Sequence, residues 1–430
     1  MARSRTSVVR TFGALVCAGM VLVAVARPAH ANDPPELTRW KLNQSGLTGY
    51  GGLPANVQTI RYSANSVYIN CSDIPDYSIG PWAMNPNTPT NQGFQLRFPR
   101  VPVENTGTKT STPLGTIGSW TNGVAIFNAL DARSYNNQNI WHQNAVVVEG
   151  PSFDACLGHP APGGVYHNHQ NASCLYGADS TKHSELLGFA FDGFPVYGPY
   201  AYATAGGTGG LTRMRSSYAL RSISVRQTLA DGTVLTPAQY GPAVSATYPL
   251  GYFVEDYAYL AGSGDLDEYN GRVAVTPDYP FGGYAYYVTV DAAGKSAYPY
   301  DIGSKYYGVV AADNISTHGH VTISEAVSTY TPTLAVIPAG PSAAGLALRQ
   351  NQPNPVSART VIRYTVAREG PVTLKVYDVR GSEVATLVDG ARKAGLNTVS
   401  LDAGTLETGV YFYELRAGGE RQARHLLVVR

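Results

Sequence analysis

Seven histidines lie between residues 32 and 330, namely His142, His159, His167, His169, His183, His318 and His320. Four of them fall in the stretch from Cys156 to His183, among many Gly and Pro residues. Two pairs have the form His-x-His: His167-Asn168-His169 and His318-Gly319-His320. Residues i and i+2 of an extended strand point to one face, so each pair could present two imidazoles to one ion. Imidazole suits borderline transition metals, and four of them with an acid would suit copper or zinc, with iron or manganese as further choices. The expected primary ligands are His167 and His169, with His183, His159, His318 and His320 as completing candidates. A hydrogen-bonded polar cluster without an ion is the competing reading. Spacing along the chain does not say whether the pairs converge.

Two acids near the histidines could assist. Asp192 sits between aromatics in Phe191-Asp192-Gly193-Phe194-Pro195. A carboxylate there could orient an imidazole, ligate an ion or serve as a general base; a turn that hydrogen-bonds its own backbone is the alternative. Glu185, two residues after His183, is a similar candidate. Asp265-Leu266-Asp267-Glu268-Tyr269-Asn270-Gly271 alternates oxygen-bearing residues, so Asp265, Asp267 and Asn270 are expected calcium ligands, against a solvated loop. The spacing departs from the EF-hand pattern, which closes on a Glu. Asp267, Glu268 and Asn270 could also reach the histidine site.

Other chemistries find no support. No Gly-x-Ser-x-Gly elbow, Walker loop or His-Glu-x-x-His is present, and Ala205 to Gly210 reads as a flexible loop. The tyrosines from Tyr197 to Tyr202 and Tyr284 to Tyr287 suit packing on a pleated surface.

The elements that must hold these residues are strands. With 46 Gly, 28 Pro and 30 Tyr in 430 residues and only 14% charged, the chain is no coiled coil. A hydrophobic content of 44% can build a large core, which sets it apart from disordered chains. The net charge of +1 gives no basic excess for nucleic acid. That total hides three segments. Residues 1–31 carry four Arg and no acid, residues 32–345 carry 15 basic against 22 acidic groups, and the remainder carries 12 against 8.

Residues 1–31 read as a secretory signal peptide: Arg3, Arg5 and Arg10, an apolar run from Phe12 to Ala26, then Ala29-His30-Ala31. The run is short for a membrane span, and no other segment is apolar enough. In the oxidising space beyond, Cys156 and Cys174 are the expected disulfide, leaving Cys71 as a buried thiol. The body spans residues 32–330, and residues 331–348 form a Pro/Ala/Gly-rich linker. From 349 to 430, alternating segments such as Val361–Val366, Val372–Tyr377 and Gly409–Leu415 predict a small antiparallel β-sandwich. His425 in it reads as a strand residue.

Asn351-Gln352-Pro353-Asn354-Pro355, Tyr377-Asp378 with Gly381, Gly409-Val410-Tyr411 and a final basic-apolar strand resemble the C-terminal sorting domain of the type IX secretion system. That resemblance implies a bacterial cargo whose tail is read by the secretion machinery, leaving the protein secreted or on the cell surface. Tyr166-His167-Asn168-His169 resembles the signature of the YHYH-domain family, with Asn168 at its second Tyr. The surroundings agree, among them Cys156-x-Gly158-His159-Pro160 and the run from His183 to Pro199. The similarity extends from about Ile60 to Gly308. It implies a secreted, β-rich body and carries over no general activity; Tyr77 stands where the family often has His. The expectation is a mostly-β metal-dependent enzyme, an oxidoreductase or hydrolase of unknown substrate. A non-catalytic metal-binding or adhesion protein is the rival.

Overall fold

A computed structural model describes residues 27–28, 33–280, 282–332, 346–378 and 380–429. The expected cleavage site at Ala29–Ala31 and most of the expected linker lie outside the described residues. The chain divides into two compact units between Thr333 and Leu334. It is mostly β, and among the described residues only three α-helices occur, each of four residues. The many Gly and Pro residues leave no long run in which a helix could propagate.

The first unit holds two large sheets. In one, β1 (Val57–Tyr62), β2 (Ser66–Cys71) and β3 (Phe94–Pro99) run antiparallel, and Ser328–Thr331 pairs with the free side of β1. Burial alternates strictly along β3, so Phe94, Leu96 and Phe98 face the core.

The larger sheet contains β4 (Thr116–Trp120), β5 (Ala125–Phe127), β6 (His159–Pro160), β7 (Tyr166–Asn168), β8 (Leu186–Ala190), β9 (Pro195–Tyr197), β10 (Gly271–Ala274) and β11 (Gly283–Tyr287). Their spatial order is β10-β11-β9-β8-β4-β5-β7-β6. Pairing is antiparallel except between β5 and β7 and between β9 and β11. The middle strands are covered on both faces, which is why Leu186–Ala190 reads as an unbroken buried run. Trp120, Phe189, Tyr197 and Tyr286 pack here at 1% exposure or less. Histidine-bearing β6 and β7 lie at one edge.

The second unit is a sandwich with seven strands among the described residues. Ala347–Leu348, Arg359–Val366 and Gly395–Asp402 form one sheet. The other contains Glu383–Arg392, Gly370–Tyr377, Gly409–Ala417 and Glu420–Val428, in that spatial order. Alternate residues such as Ile362, Tyr364, Leu374, Val376, Tyr413 and Leu415 fill its core. His425 lies on the last strand, opposite Phe412.

Candidate metal centre

The edge of the large sheet is a hairpin that brings imidazoles together by register. Gly163 and Gly164 take φ of +87° and +82° in the turn that returns β6 to β7, a conformation that favours glycine. His159 then lies directly opposite His167, and His169, two residues on, shares the face of His167. Gly158 is required just before His159, because a Cβ there would lie 2.5 Å from the Tyr166 hydroxyl. Cys156 and Cys174 form the expected disulfide and enclose all three histidines. On the opposite face, Tyr166 donates to Asp154 at 3.0 Å and the Asn168 amide donates to the Cys156 carbonyl. The Asn at position 168 therefore changes the underside of the strand, away from the imidazoles. Buried Asp73 accepts from the backbone N–H groups of Ala125 and Tyr166, stitching β5 to β7.

The fourth member of the group is Glu149. It caps the short helix Ala145–Val148. His159 Nε2 lies 3.1 Å from His167 Nε2, which lies 3.0 Å from His169 Nε2. Glu149 Oε2 is 2.9 Å from His159 Nε2 and 3.3 Å from His169 Nε2. Four ligands at zinc–nitrogen distance in a tetrahedron stand about 3.3 Å apart, so these spacings match a single small ion. Among the described residues this is the one group of three or more His, Cys, Asp or Glu whose ligand atoms gather so closely.

The outer nitrogens fix the tautomers. His167 Nδ1 faces the Val165 carbonyl at 3.1 Å, and His169 Nδ1 faces the Asn128 carbonyl at 2.5 Å. Carbonyls only accept, so both Nδ1 atoms carry protons. Ser152 donates its hydroxyl to the Glu149 carbonyl at 2.7 Å, so its lone pair accepts from His159 Nδ1, also at 2.7 Å. With these tautomers assigned from the hydrogen-bond network, each imidazole turns an Nε2 lone pair inward. Three lone pairs and a carboxylate pointing at one another repel unless something positive lies between them. This donor set fits a transition ion, and Val165, Asn128 and Ser152 supply the outer hydrogen bonds that orient such ligands.

Electrostatics agree. Burial first, then the nearness of His169 and His159, hold His167 well below the usual imidazole range, so it stays neutral. Burial pushes the Glu149 carboxyl up, but its close contacts with His159 and His169 outweigh it and hold the group below the usual carboxylate range. Asp131 hydrogen-bonds Glu149; burial and that neighbour push Asp131 up to about 6. Phe127 stacks on His167 with ring centres 3.8 Å apart, and Phe153 meets His159 edge-on at 4.7 Å. Three of the four residues of the group are almost fully buried, whereas the Glu149 side chain is 23% exposed.

The remaining sequence candidates stand elsewhere. His183 is buried between Tyr197 and Tyr202, its Nδ1 bonded to the Ser184 carbonyl. His318 and His320 are exposed in the loop after the helix Asp313–Ser316. His318 has φ of +51°, so the segment is a turn, and the same-face rule for strands does not apply. Asp192 is fully buried in the turn between β8 and β9, where it accepts from Tyr286 Oη at 2.6 Å and from the N–H groups of Gly308 and Phe194. Burial pushes it up to about 6. Its bonds make it a brace between strands. Glu185 is exposed and outside the group. The expected calcium loop gathers its oxygens otherwise: Asp265 is paired bidentately with Arg215, and Asp267 Oδ1 accepts from Tyr269, Gly271 and Tyr284. Sequence reasoning missed Glu149. It is a lone acid after an apolar run, ten residues before His159, and no spacing rule marks it.

The class is a β-rich protein with an edge hairpin of converging imidazoles, followed by a separate sandwich. More particularly, residues 95–297 match the family model described as YHYH protein, and residues 352–429 match that of the secretion system C-terminal sorting domain. The chain carries a YHYH domain followed by a type IX sorting domain, which marks it for secretion to the cell surface or beyond. No curated protein matches. Among solved structures, dimeric latent PorU from Porphyromonas gingivalis is similar at 16% identity, with 24% of this chain covered and a TM-score of 0.18. The chain spans 10% of that structure's length, a likeness too slight to bear on fold or function. No helix among the described residues is long and apolar enough to cross a membrane.

Proposed function

We propose that the body is a metal-dependent extracellular enzyme, an oxidoreductase or hydrolase, whose copper or zinc ion is held by His159, His167, His169 and Glu149. The observation that carries this reading is the convergence of three inward Nε2 lone pairs on one carboxylate, each imidazole locked by an outer hydrogen bond. When bound, such an ion supplies Lewis-acid or redox chemistry. The chain's own residues would hold it, exclude water through Phe127 and Phe153, and present one exposed edge at Glu149. Asp131, bonded to Glu149, could hold a proton beside that edge.

A second reading rests on the same count of ligands. Four protein donors complete a tetrahedron, as in closed, non-catalytic sites, which favours a metal-stabilised binding or adhesion protein. Elemental analysis of the purified chain tests both, with about one equivalent of copper or zinc expected. Less than a tenth of an equivalent of any transition metal sinks both. Electron paramagnetic resonance of the copper(II)-loaded chain, with and without azide, then separates them. A spectrum that shifts with azide indicates an exchangeable position and favours catalysis, whereas an unchanged spectrum favours the closed site.

A further inference from the structure

Away from the histidines, one buried carboxylate has nothing to bind. Asp301 is 1% exposed, and neither of its side-chain oxygens has a hydrogen-bond partner. The Asn270 side chain is its neighbour: Nδ2 donates to the Asp301 backbone carbonyl at 2.9 Å and to the Tyr287 carbonyl at 2.9 Å. Those two bonds fix the amide's orientation, and its Oδ1, fully buried, also has no donor. The Asp301 charge is felt at the Tyr176 phenol, which burial first and that charge second push up. Two segments therefore meet here, the turn Asp267–Gly271 and the chain around Asp301, each bringing buried oxygens without a donor.

An ionised carboxylate with neither donor nor counter-charge is among the costliest arrangements in a protein interior, and burial accordingly pushes the Asp301 carboxyl well above its usual range unless a cation joins it. Acceptor-only oxygens without donors are satisfied together by a cation. We propose that Asp301 and Asn270 form a buried calcium site that staples the Asp267–Gly271 turn to the chain around Asp301. Oxygen-only donors select a hard cation over the ions that imidazole prefers. Calcium tolerates the irregular geometry of such a site better than magnesium, which sheds its water reluctantly. The backbone bears the marks of an imposed geometry on both sides, with φ of +66° at Asn270 and +77° at Tyr300, a bulky residue that rarely takes that conformation. The sequence had placed Asn270 among calcium ligands with the wrong partners: Asp265 and Asp267 are engaged, and the free carboxylate comes from thirty-one residues downstream.

The test is the melting temperature of the purified full chain in excess calcium chloride against EGTA. Calcium is expected to raise it by roughly 5 °C when well above its dissociation constant. The shift should persist in His167→Ala, which separates it from the imidazole centre, and in Asp265→Asn, which separates it from the surface loop. Asp301→Asn should abolish it and melt lower than the wild-type chain in calcium. If no cation binds, the opposite holds: Asp301→Asn removes an uncompensated charge, melts at the wild-type temperature or above, and calcium shifts nothing. Should Asp301→Asn fail to fold, tyrosine-sensitised terbium emission from the His167→Ala chain reads the site directly. Emission displaced by calcium at about one equivalent supports the site; its absence overturns it.

Discussion

The proton inventory of the histidine group shows how much a residue outside the ligand set can decide. Ser152 touches no candidate ion, yet its hydroxyl, already committed to the Glu149 carbonyl, forces His159 to donate through Nδ1. Ser152→Ala frees that ring to rotate or to change tautomer. Loss of such an outer partner typically weakens metal affinity about 10- to 100-fold, and that is the outcome expected from competition titration against a chromophoric chelator. Ser152→Thr, which keeps the hydroxyl, should restore most of it. His142 behaves differently because it lies outside the group and is paired with an acid. Glu255 Oε1 lies 2.5 Å from its Nδ1, and that hydrogen bond, outweighing burial, raises the imidazole above its ordinary value of 6.5. A base with a raised folded value stabilises fully below the unfolded value and loses that contribution as pH rises through the folded one. Urea unfolding should therefore show stability falling across this window on the alkaline side. In Glu255→Gln that part of the slope should flatten.

Strands made the site partly legible and partly not. Alternation along β7 and the residue after it put His167 and His169 on one face, and the disulfide was readable from Cys156 and Cys174, close in sequence in a chain expected to be exported. The pairing of His159 with His167 was harder, since it depends on a β6 of two residues and a Gly-Gly turn that could have closed in another register. Glu149 arrives from a helix cap, where no periodicity announces a ligand. His318-Gly319-His320 shows the converse error: the motif was present, but a left-handed residue at its start made it a turn. Strands of the sandwich such as Gly370–Tyr377 were visible because one face is buried and the other wet. Glu383–Arg392 and Gly395–Asp402 were missed, because in both the alternation of small, polar and charged residues with apolar ones is weak. The disulfide carries a prediction at this scale. A cross-link spanning 18 residues restricts the unfolded chain by about 3 kcal/mol. The double variant Cys156→Ala/Cys174→Ala should lose about that much stability in urea unfolding. Because the loop it opens carries all three imidazoles, its metal affinity should fall as well.

Over the whole molecule, the net charge of +1 conceals units with separate tasks. The segment that holds the histidine group and the buried Asp301 is acidic, with 22 acids against 15 bases, while the sorting domain lies in a basic tail. Each unit has its own hydrophobic core: one around Trp120, Phe189 and Tyr286, the other around Tyr364, Leu374 and Tyr413. Two cores in two compact units imply two cooperative transitions. The full chain should therefore show two calorimetric transitions, and a chain ended at residue 332 should keep the body's transition unmoved and lose the other. Its complement of bound metal should equal that of the full chain, since all four residues of the group precede the cut. In a bacterium with a type IX system, fractionation should find the full chain outside the outer membrane and the shortened one in the periplasm. A shortened chain that still reached the surface would separate export from the tail. One that melted lower or lost its metal would mean that the sandwich also supports the body.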